Sequence, residues 1–485
     1  AVRLCLSIVL TASTVAAAVV FVPLTGAIAA ISAAPAIMYA YSALLLRILA
    51  CAFPPVPVPE MRETGNKSTA IVICVALRSR GDLESAFGKL TTLEHTAREK
   101  IFSYGILADI VSGEYTAEEA EKDARRLIRG KRTFFLLRKS AVGRKRGALS
   151  AFNKSVLTGD MSAYAVTAGR PKKFEYVITL DSDTSLTDAE RLVRIMEHPY
   201  NRRYAVMSLD MRPSLGGMTT PLSALVGGDG GLVRYGGACG ALRRLHGYTC
   251  YCGKGIYRVR EFYERAGKTL PEDKLLSHDL IEGALAGCGG SGVCALEEAP
   301  RTSGAYWSRL ERWMRGDIQS LPYFRRNAPD DGGGKRGISV PAAAKAAAAE
   351  NVLGIVYAPM SLISLVLALV SGAIPLLVLP LMPQVCEIVT ACTGLFRSPV
   401  KAARSAAHAA LSAVYLPHRA FVSMTAVTAA LVSMIRGKDL LRWNVYSPSG
   451  DGRPLFVANF IAGAVCATIF AFTSHAAAIV VAAVF

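Results

Sequence analysis

The chain has 485 residues, 52% of them hydrophobic and 19% charged, with a formal net charge of +18. This balance excludes a disordered chain, a collagen-like fibre and a small disulfide scaffold. It would allow a soluble enzyme, but the apolar residues are gathered into runs longer than a soluble core needs.

In chain order, Leu4 to Leu46 carries no charged residue and is broken only by Pro23 and Pro35. At about 20 residues per crossing there is room for two spanning helices, so residues 1–53 read as an N-terminal transmembrane hairpin. A signal peptide would be shorter and would end in a small-residue cleavage site. All but ten of the 55 Lys and Arg residues fall between Pro54 and Glu350. A domain this basic beside membrane spans is expected on the cytoplasmic side.

Within residues 54–330, Ser68–Leu77 reads as a buried strand, followed by a polar turn at Arg78–Asp82 and a helix from Leu83. Phe102–Asp109 reads as a second strand ending in a carboxylate, and Thr116–Arg129 as a charged helix. Thr133–Leu137 and Tyr176–Leu180 complete four strands. Strands alternating with helices predict an α/β fold with a mostly parallel sheet. Ligands bind beyond the carboxyl ends of such strands, where Asp109 and Asp181 fall. Residues 331–350 read as a linker, and 351–396 as a second hairpin that continues past Glu387. Residues 397–453 read as a basic cytoplasmic or interfacial segment, and 454–485 as C-terminal spanning sequence with His475 as its ionisable side chain.

Leu180-Asp181-Ser182-Asp183-Thr184 places two carboxylates one residue apart at a strand end. They repel each other, and a divalent cation that also bridges phosphate oxygens relieves the repulsion. An Asp-rich turn gives the same letters, and Thr187-Asp-Ala-Glu190 just beyond resembles a capping box. Arg144-Lys-Arg-Gly147, followed by Leu149 and Asn153, is a basic cluster at a helix start that suits either a diphosphate or solvent. Gly253-Lys254-Gly255-Ile256-Tyr257 is a tight turn with one cation. Ser277-His278-Asp279-Leu280-Ile281-Glu282-Gly283 opens a helix with a carboxylate in its first turn, as catalysis or an N-cap by Ser277 or Asp279 would require. Arg309-Leu-Glu-Arg312-Trp313 sets two guanidiniums on one helix face beside an indole, suited to phosphate and sugar or to surface salt bridges. Of the eleven cysteines, Cys239, Cys250 and Cys252 with His246 form a conceivable zinc set, but the paired CxxC pattern is missing and free thiols are expected.

In order, these pieces resemble the processive, inverting membrane glycosyltransferases of the GT-A (Rossmann-like) fold, and more closely the glycosyltransferase region of cyclic β-1,2-glucan synthases. The resemblance rests on Lys145-Arg-Gly147, Tyr176–Thr184, His198-Pro199 with Asn201-Arg202, Gly253–Tyr257, Leu275–Gly283 and Arg312-Trp-Met-Arg-Gly-Asp317, and continues into Leu416-Pro-His418 and Asp439-Leu-Leu-Arg-Trp443. It implies a GT-A domain inserted between transmembrane helices of a multi-pass inner-membrane protein, with the catalytic domain in the cytoplasm. It implies that Asp181 and Asp183 hold Mg²⁺ or Mn²⁺ on the diphosphate of UDP-glucose, with Asp183 the more direct ligand and Asp109 and Lys145 near the nucleotide. Asp279 matches the general base that activates the acceptor hydroxyl. Arg309 and Arg312 would contact the diphosphate, and Trp313, Lys254 and Tyr257 the glucan acceptor. Full cyclic glucan synthases are several times longer, so further domains or subunits are expected to process or cyclise the glucan. A chain that begins at Ala1 and ends in an apolar run reads as a fragment.

A related synthase making another β-linked polysaccharide from a UDP-sugar would share these features. A membrane-anchored module for anionic lipid or nucleic acid should cluster its basic residues with aromatics, whereas here they are spread out and the acidic motifs would have no role; no nucleic-acid partner is expected. A transporter would need more ionisable groups in its spans than Glu387 and His475.

Overall fold

The computed structural model describes residues 2–20, 24–54, 56–97, 99–111, 115–128, 132–169, 171–229, 245, 247–329, 334–394, 398–441, 456–473 and 481–482. The chain opens with helices α1 (Val2–Val20), α2 (Leu24–Ser32) and α3 (Ala34–Ala52). The middle domain follows as β1 (Thr69–Leu77), α4 (Arg80–Thr96), β2 (Phe102–Ile110), α5 (Ala117–Leu127), β3 (Thr133–Arg138), α6 (Arg144–Thr158), β4 (Tyr164–Ala168), β5 (Tyr176–Asp181) and β6 (Thr184–Leu186). It continues through α7 (Ala189–Glu197), β7 (Val206–Pro213), α8 (Pro221–Asp229), β8 (Gly255–Arg258), α9 (Val259–Phe262), α10 (Asp279–Ala286), β9 (Cys288–Glu297) and α11 (Ser303–Ser320). A short antiparallel pair, β10 (Asn327–Pro329) and β11 (Lys335–Gly337), leads into α12 (Ala342–Val370), α13 (Met382–Gly394), α14 (Pro399–Val414), α15 (Leu416–Arg436) and α16 (Phe456–Thr473).

The large sheet has nine strands in the order β4-β3-β2-β1-β5-β8-β7-β9-β6. β3, β2, β1 and β5 are parallel, as the alternating sequence pattern predicts. β4 is antiparallel at one edge, and β8 runs antiparallel between β5 and β7. Side chains alternate across each strand, so Ile71, Ile73, Val75 and Leu77 of β1 pack under α4, α5 and α7, while Ala70 and Val72 join α6, α9 and α10 on the other face. In this register Asp109 lies opposite Ala76 of β1 and Asp181 opposite Cys74, which brings both carboxylates to one end of the sheet.

Local chemistry sets the helix starts. Thr116 caps α5 in a reciprocal box: Glu119 N donates to its hydroxyl at 3.2 Å, and its own N–H donates to Glu119 Oε2 at 2.9 Å. The expected box at Thr187–Glu190 does not form. Asp188 is the cap of α7, accepting from Arg191 N at 2.8 Å, while Thr187 donates to the Cys294 carbonyl at 2.7 Å and so joins its loop to β9.

Five stretches of the described residues are long and apolar enough to cross a membrane: α1, α3, α12, Ile374–Thr393 and α15. Two expected boundaries change. The linker at 331–350 is largely structured, because Ala342–Glu350 forms the first turns of α12, as its run of alanines, the best helix formers, favours. The basic segment at 397–453 contains α15, whose uncharged stretch between Arg419 and Arg436 is masked in the sequence by the charges at its ends. Large apolar side chains point outward from these helices, with Phe421 57% and Ile435 85% exposed on α15. Inside the helical layer, Arg3 of α1 pairs with Glu350 of α12, which also accepts from Ser42 of α3 at 2.9 Å.

The middle domain rests directly on these helices. Met314 and Ile318 of α11 pack with Ile355 of α12 and Val422, Ala426 and Ala430 of α15. Asn351 of α12 donates to Asp317 of α11 at 3.0 Å. On its other side α11 meets the segment before α10 through Gly316, where a Cβ would stand 2.8 Å from the Ser277 backbone nitrogen. Helix propensity alone would make Gly316→Ala favourable by about 1 kcal/mol. Contact with backbone, which cannot swing aside, reverses the sign, so the variant should melt at a lower temperature than wild type in detergent. A rise in melting temperature would contradict the close approach of α11 to Ser277.

Candidate active site

Beyond the carboxyl ends of β1, β2 and β5 opens a cavity of about 1500 Å³. Asp109, Lys145, Asp181, Asp183, Lys254, Asp279, Arg309, Arg312 and Trp313 all line it. They come from β2, α6, β5 and the turn after it, the turn before β8, α10 and α11, so only the tertiary fold unites them.

Opposite charges alternate along one wall. Lys145 Nζ pairs with Asp181 Oδ1 and donates to the Gly253 carbonyl at 2.8 Å. Lys254 Nζ bridges Asp181 Oδ2 at 3.0 Å and Glu297 Oε2 at 3.3 Å. Glu297, the last residue of β9, accepts from Arg309 Nη2 at 2.7 Å, and the Arg309 guanidinium lies 4.6 Å from the Trp313 ring centroid. Burial opposes the charge on Asp181, but Lys145 and Lys254 outweigh it and hold this carboxyl well below the usual range. Burial likewise opposes the charge on Glu297, and Lys254 and Arg309 prevail. Lys254 is itself held far above its ordinary value: Glu297 and Asp181 overcome the desolvation of its ammonium group.

Asp183 differs from its neighbours. It has no ion pair or hydrogen bond among the described residues. Burial pushes its pKa up, and Glu297 adds to the effect. A carboxylate with no ion pair of its own, beside two others and lining a cavity, fits a hard divalent cation. Asp181 already shares its oxygens with two ammonium groups, so Asp183 is the more available ligand of the pair.

Asp279 is the first residue of α10 and is part-exposed to the cavity, its side chain 35% accessible. It lies against Gly253, where φ is +73° and a Cβ would approach Asp279 Oδ1 to 2.6 Å. Only glycine meets both demands, the left-handed backbone and the space for the carboxylate. Behind Asp279, His278 Nδ1 is 2.9 Å from Glu282 Oε2, and Glu282 Oε1 accepts from Arg146 Nε at 3.0 Å.

No protein-family model matches the chain. Over 243 residues it is 32% identical to the cyclic beta-(1,2)-glucan synthase NdvB of Rhizobium meliloti (strain 1021). The chain is homologous to part of a cyclic glucan synthase. The alignment covers 44% of this chain and 8% of that protein, so the chain spans only a small portion of its relative's length. Among solved structures, the mannosyltransferase PcManGT from Pyrobaculum calidifontis, in complex with GDP-Man and Mn2+, aligns with a TM-score of 0.45 and 15% identity, over 86% of this chain and 100% of that one.

Several sequence expectations change in the structure. Tyr257 is fully buried in β8, stacked on Phe262 at 4.5 Å with its hydroxyl donating to Asn153 Oδ1 at 2.9 Å. It is a core residue and cannot reach an acceptor. Lys254, expected on the acceptor side, is committed to Asp181 and Glu297. Both Asp109 oxygens accept from Arg138, at 2.7 and 2.5 Å, and the same guanidinium holds the Val142 and Arg144 carbonyls. Asp109 therefore anchors the turn that delivers Lys145. Arg146 of the basic cluster is buried and cannot meet a diphosphate. Neither Ser277 nor Asp279 caps α10, whose N-cap position is His278. In the conceivable zinc set, Cys239 and His246 lie outside the described residues, and Cys250 and Cys252 form no disulfide among the described residues. Arg442 and Trp443 also lie outside them.

Sequence reading missed Glu297 and Arg138. Cys288–Glu297 contains Gly289, Gly290 and Gly292, which hide a strand because glycine is depleted there. Arg138 sits one residue past the apolar run that defined its strand.

The His278–Glu282 pair has a pH signature. Burial works against the imidazolium, but Glu282 and Asp279 outweigh it and raise the His278 pKa from 6.5. Burial also works against the Glu282 carboxylate, but His278 and Arg146 lower its pKa from 4.5. The histidine contribution is complete below 6.5 and is lost as pH rises through the elevated value; the glutamate contribution is present above 4.5 and is lost as pH falls through the depressed one. The melting-temperature gap between wild type and Glu282→Gln should therefore be widest between these limits and narrow on the alkaline side. A gap that widens as pH rises above 6.5 would contradict a charged pair.

Proposed function

We propose that the chain is a membrane-embedded inverting glucosyltransferase that moves glucose from UDP-glucose to a growing β-1,2-glucan. The observation that carries the reading is the convergence in one cavity of the Asp181/Asp183 pair, Asp279 and the Arg309/Arg312/Trp313 face, in a chain homologous to part of a cyclic glucan synthase. The catalytic domain lies on the cytoplasmic face of the inner membrane, which its excess of Lys and Arg supports.

Asp279 takes the proton from the acceptor hydroxyl as that oxygen attacks the anomeric carbon of the donor. The new C–O bond forms as the bond to the diphosphate breaks, its electron pair leaves with UDP, and one displacement turns an α-linked donor into a β-linked product. Mg²⁺ or Mn²⁺, held by Asp183 together with Asp181, would neutralise charge on the diphosphate. Arg309 and Arg312 face the same leaving group as fixed cations, and Lys254 and Glu297 keep Arg309 in place. The Trp313 indole offers the acceptor sugar a flat apolar surface. Further domains or subunits close or release the glucan.

The test is transfer of labelled glucose from UDP-glucose by membranes containing the protein. Asp279→Asn keeps the side-chain shape and removes the base, and should lower transfer about 100-fold or more. Full activity in this variant, or incorporation only from UDP-GlcNAc or GDP-mannose, would refute the proposal.

A further inference from the structure

Three buried charged side chains stand behind Asp279 and have no part in the chemistry just described. His278, Glu282 and Arg146 have side-chain exposures of 10%, 7% and 2%. Nδ1 of His278 faces two carboxylates, Glu282 Oε2 at 2.9 Å and Asp279 Oδ1 at 3.4 Å. Carboxylates only accept, so Nδ1 carries a hydrogen whether the ring is neutral or charged, and its tautomer is fixed. The other Glu282 oxygen is taken by Arg146 Nε. The remaining Arg146 nitrogens donate to the carbonyls of Pro271, Leu270 and Gly267, which locks the far end of the chain into backbone. Donor atoms of His278, Asp279 and Glu282 lie within 4.8 Å of one another, a spacing a metal can use, but Glu282 is already occupied by Arg146.

A buried ion chain of this kind adds little stability over apolar packing, so what it supplies is orientation. The chain runs from rigid backbone through Arg146, Glu282 and His278 and ends on its most exposed member, Asp279, which lines the cavity. Gly253 leaves room for the Asp279 carboxylate on one side, and on the other the His278 ring, hydrogen-bonded to Glu282, stands with Nδ1 3.4 Å from Asp279 Oδ1. We propose that His278 is a positioning residue for Asp279, fixed in turn by Glu282 and Arg146, an inference that rests on Asp279 being the general base.

The experiment compares His278→Leu, which removes the N–H, with His278→Asn, whose amide returns an N–H near the position of Nδ1. In glucose transfer from UDP-glucose, His278→Leu should lower kcat about tenfold or more with the donor KM within about twofold, and His278→Asn should recover most of the loss. In an Asp279→Asn background, His278→Leu should cause no further loss, because its effect passes through that carboxylate. An unchanged kcat in His278→Leu, an equal loss in His278→Asn, or a full additional loss on top of Asp279→Asn would each overturn the proposal. Wild-type transfer by Asp279→Asn alone would instead refute the assignment of the base, so the two failures are distinguishable.

Discussion

Asp181, Asp183 and Glu297 crowd three carboxylates into one half-buried wall, and most of the architecture around them follows from the need to balance that charge. At an effective dielectric of about 20, two like charges 4 Å apart repel by about 4 kcal/mol. Lys145, Lys254 and Arg309 supply the compensation, and each is delivered by a different part of the chain. Asp183 alone of the three carboxylates forms no direct ion pair among the described residues. A carboxylate with both oxygens unshared, lining a large cavity, suits a cation ligand.

The same wall links the chemistry to the membrane helices. Arg309, Arg312 and Trp313 project from α11, whose opposite face packs on α12 and α15. Movement of that helical layer would therefore act directly on Arg309, Arg312 and Trp313. The segment before α10 touches α11 at Gly316, so the proposed base and the arginine face share one rigid support.

The parallel strands were legible because each is a short apolar run bounded by polar turns, and the carboxylates at the ends of β2 and β5 followed from that reading. Asp279 and the arginine helix were legible as ordered motifs. Tyr257 was misread because adjacency to a glycine turn says nothing about which face of a strand a side chain takes; its alternation in β8 sends it into the core. Glu297 was invisible because three glycines weaken the strand signal before it, and its importance comes from partners 43 and 12 residues away in Lys254 and Arg309. Arg146 and Lys145 are neighbours in one basic cluster, yet the helix turns one into the core and the other toward Asp181. No composition rule separates them.

The central claim is that Asp183 completes a cation site for a nucleotide diphosphate. Electron paramagnetic resonance of Mn²⁺ titrated into the purified protein, with and without UDP, tests it without depending on turnover. The account predicts that UDP tightens Mn²⁺ binding to wild type and that Asp183→Asn abolishes this while its melting temperature stays within a few degrees of wild type. Equal Mn²⁺ binding by wild type and Asp183→Asn in the presence of UDP would contradict it.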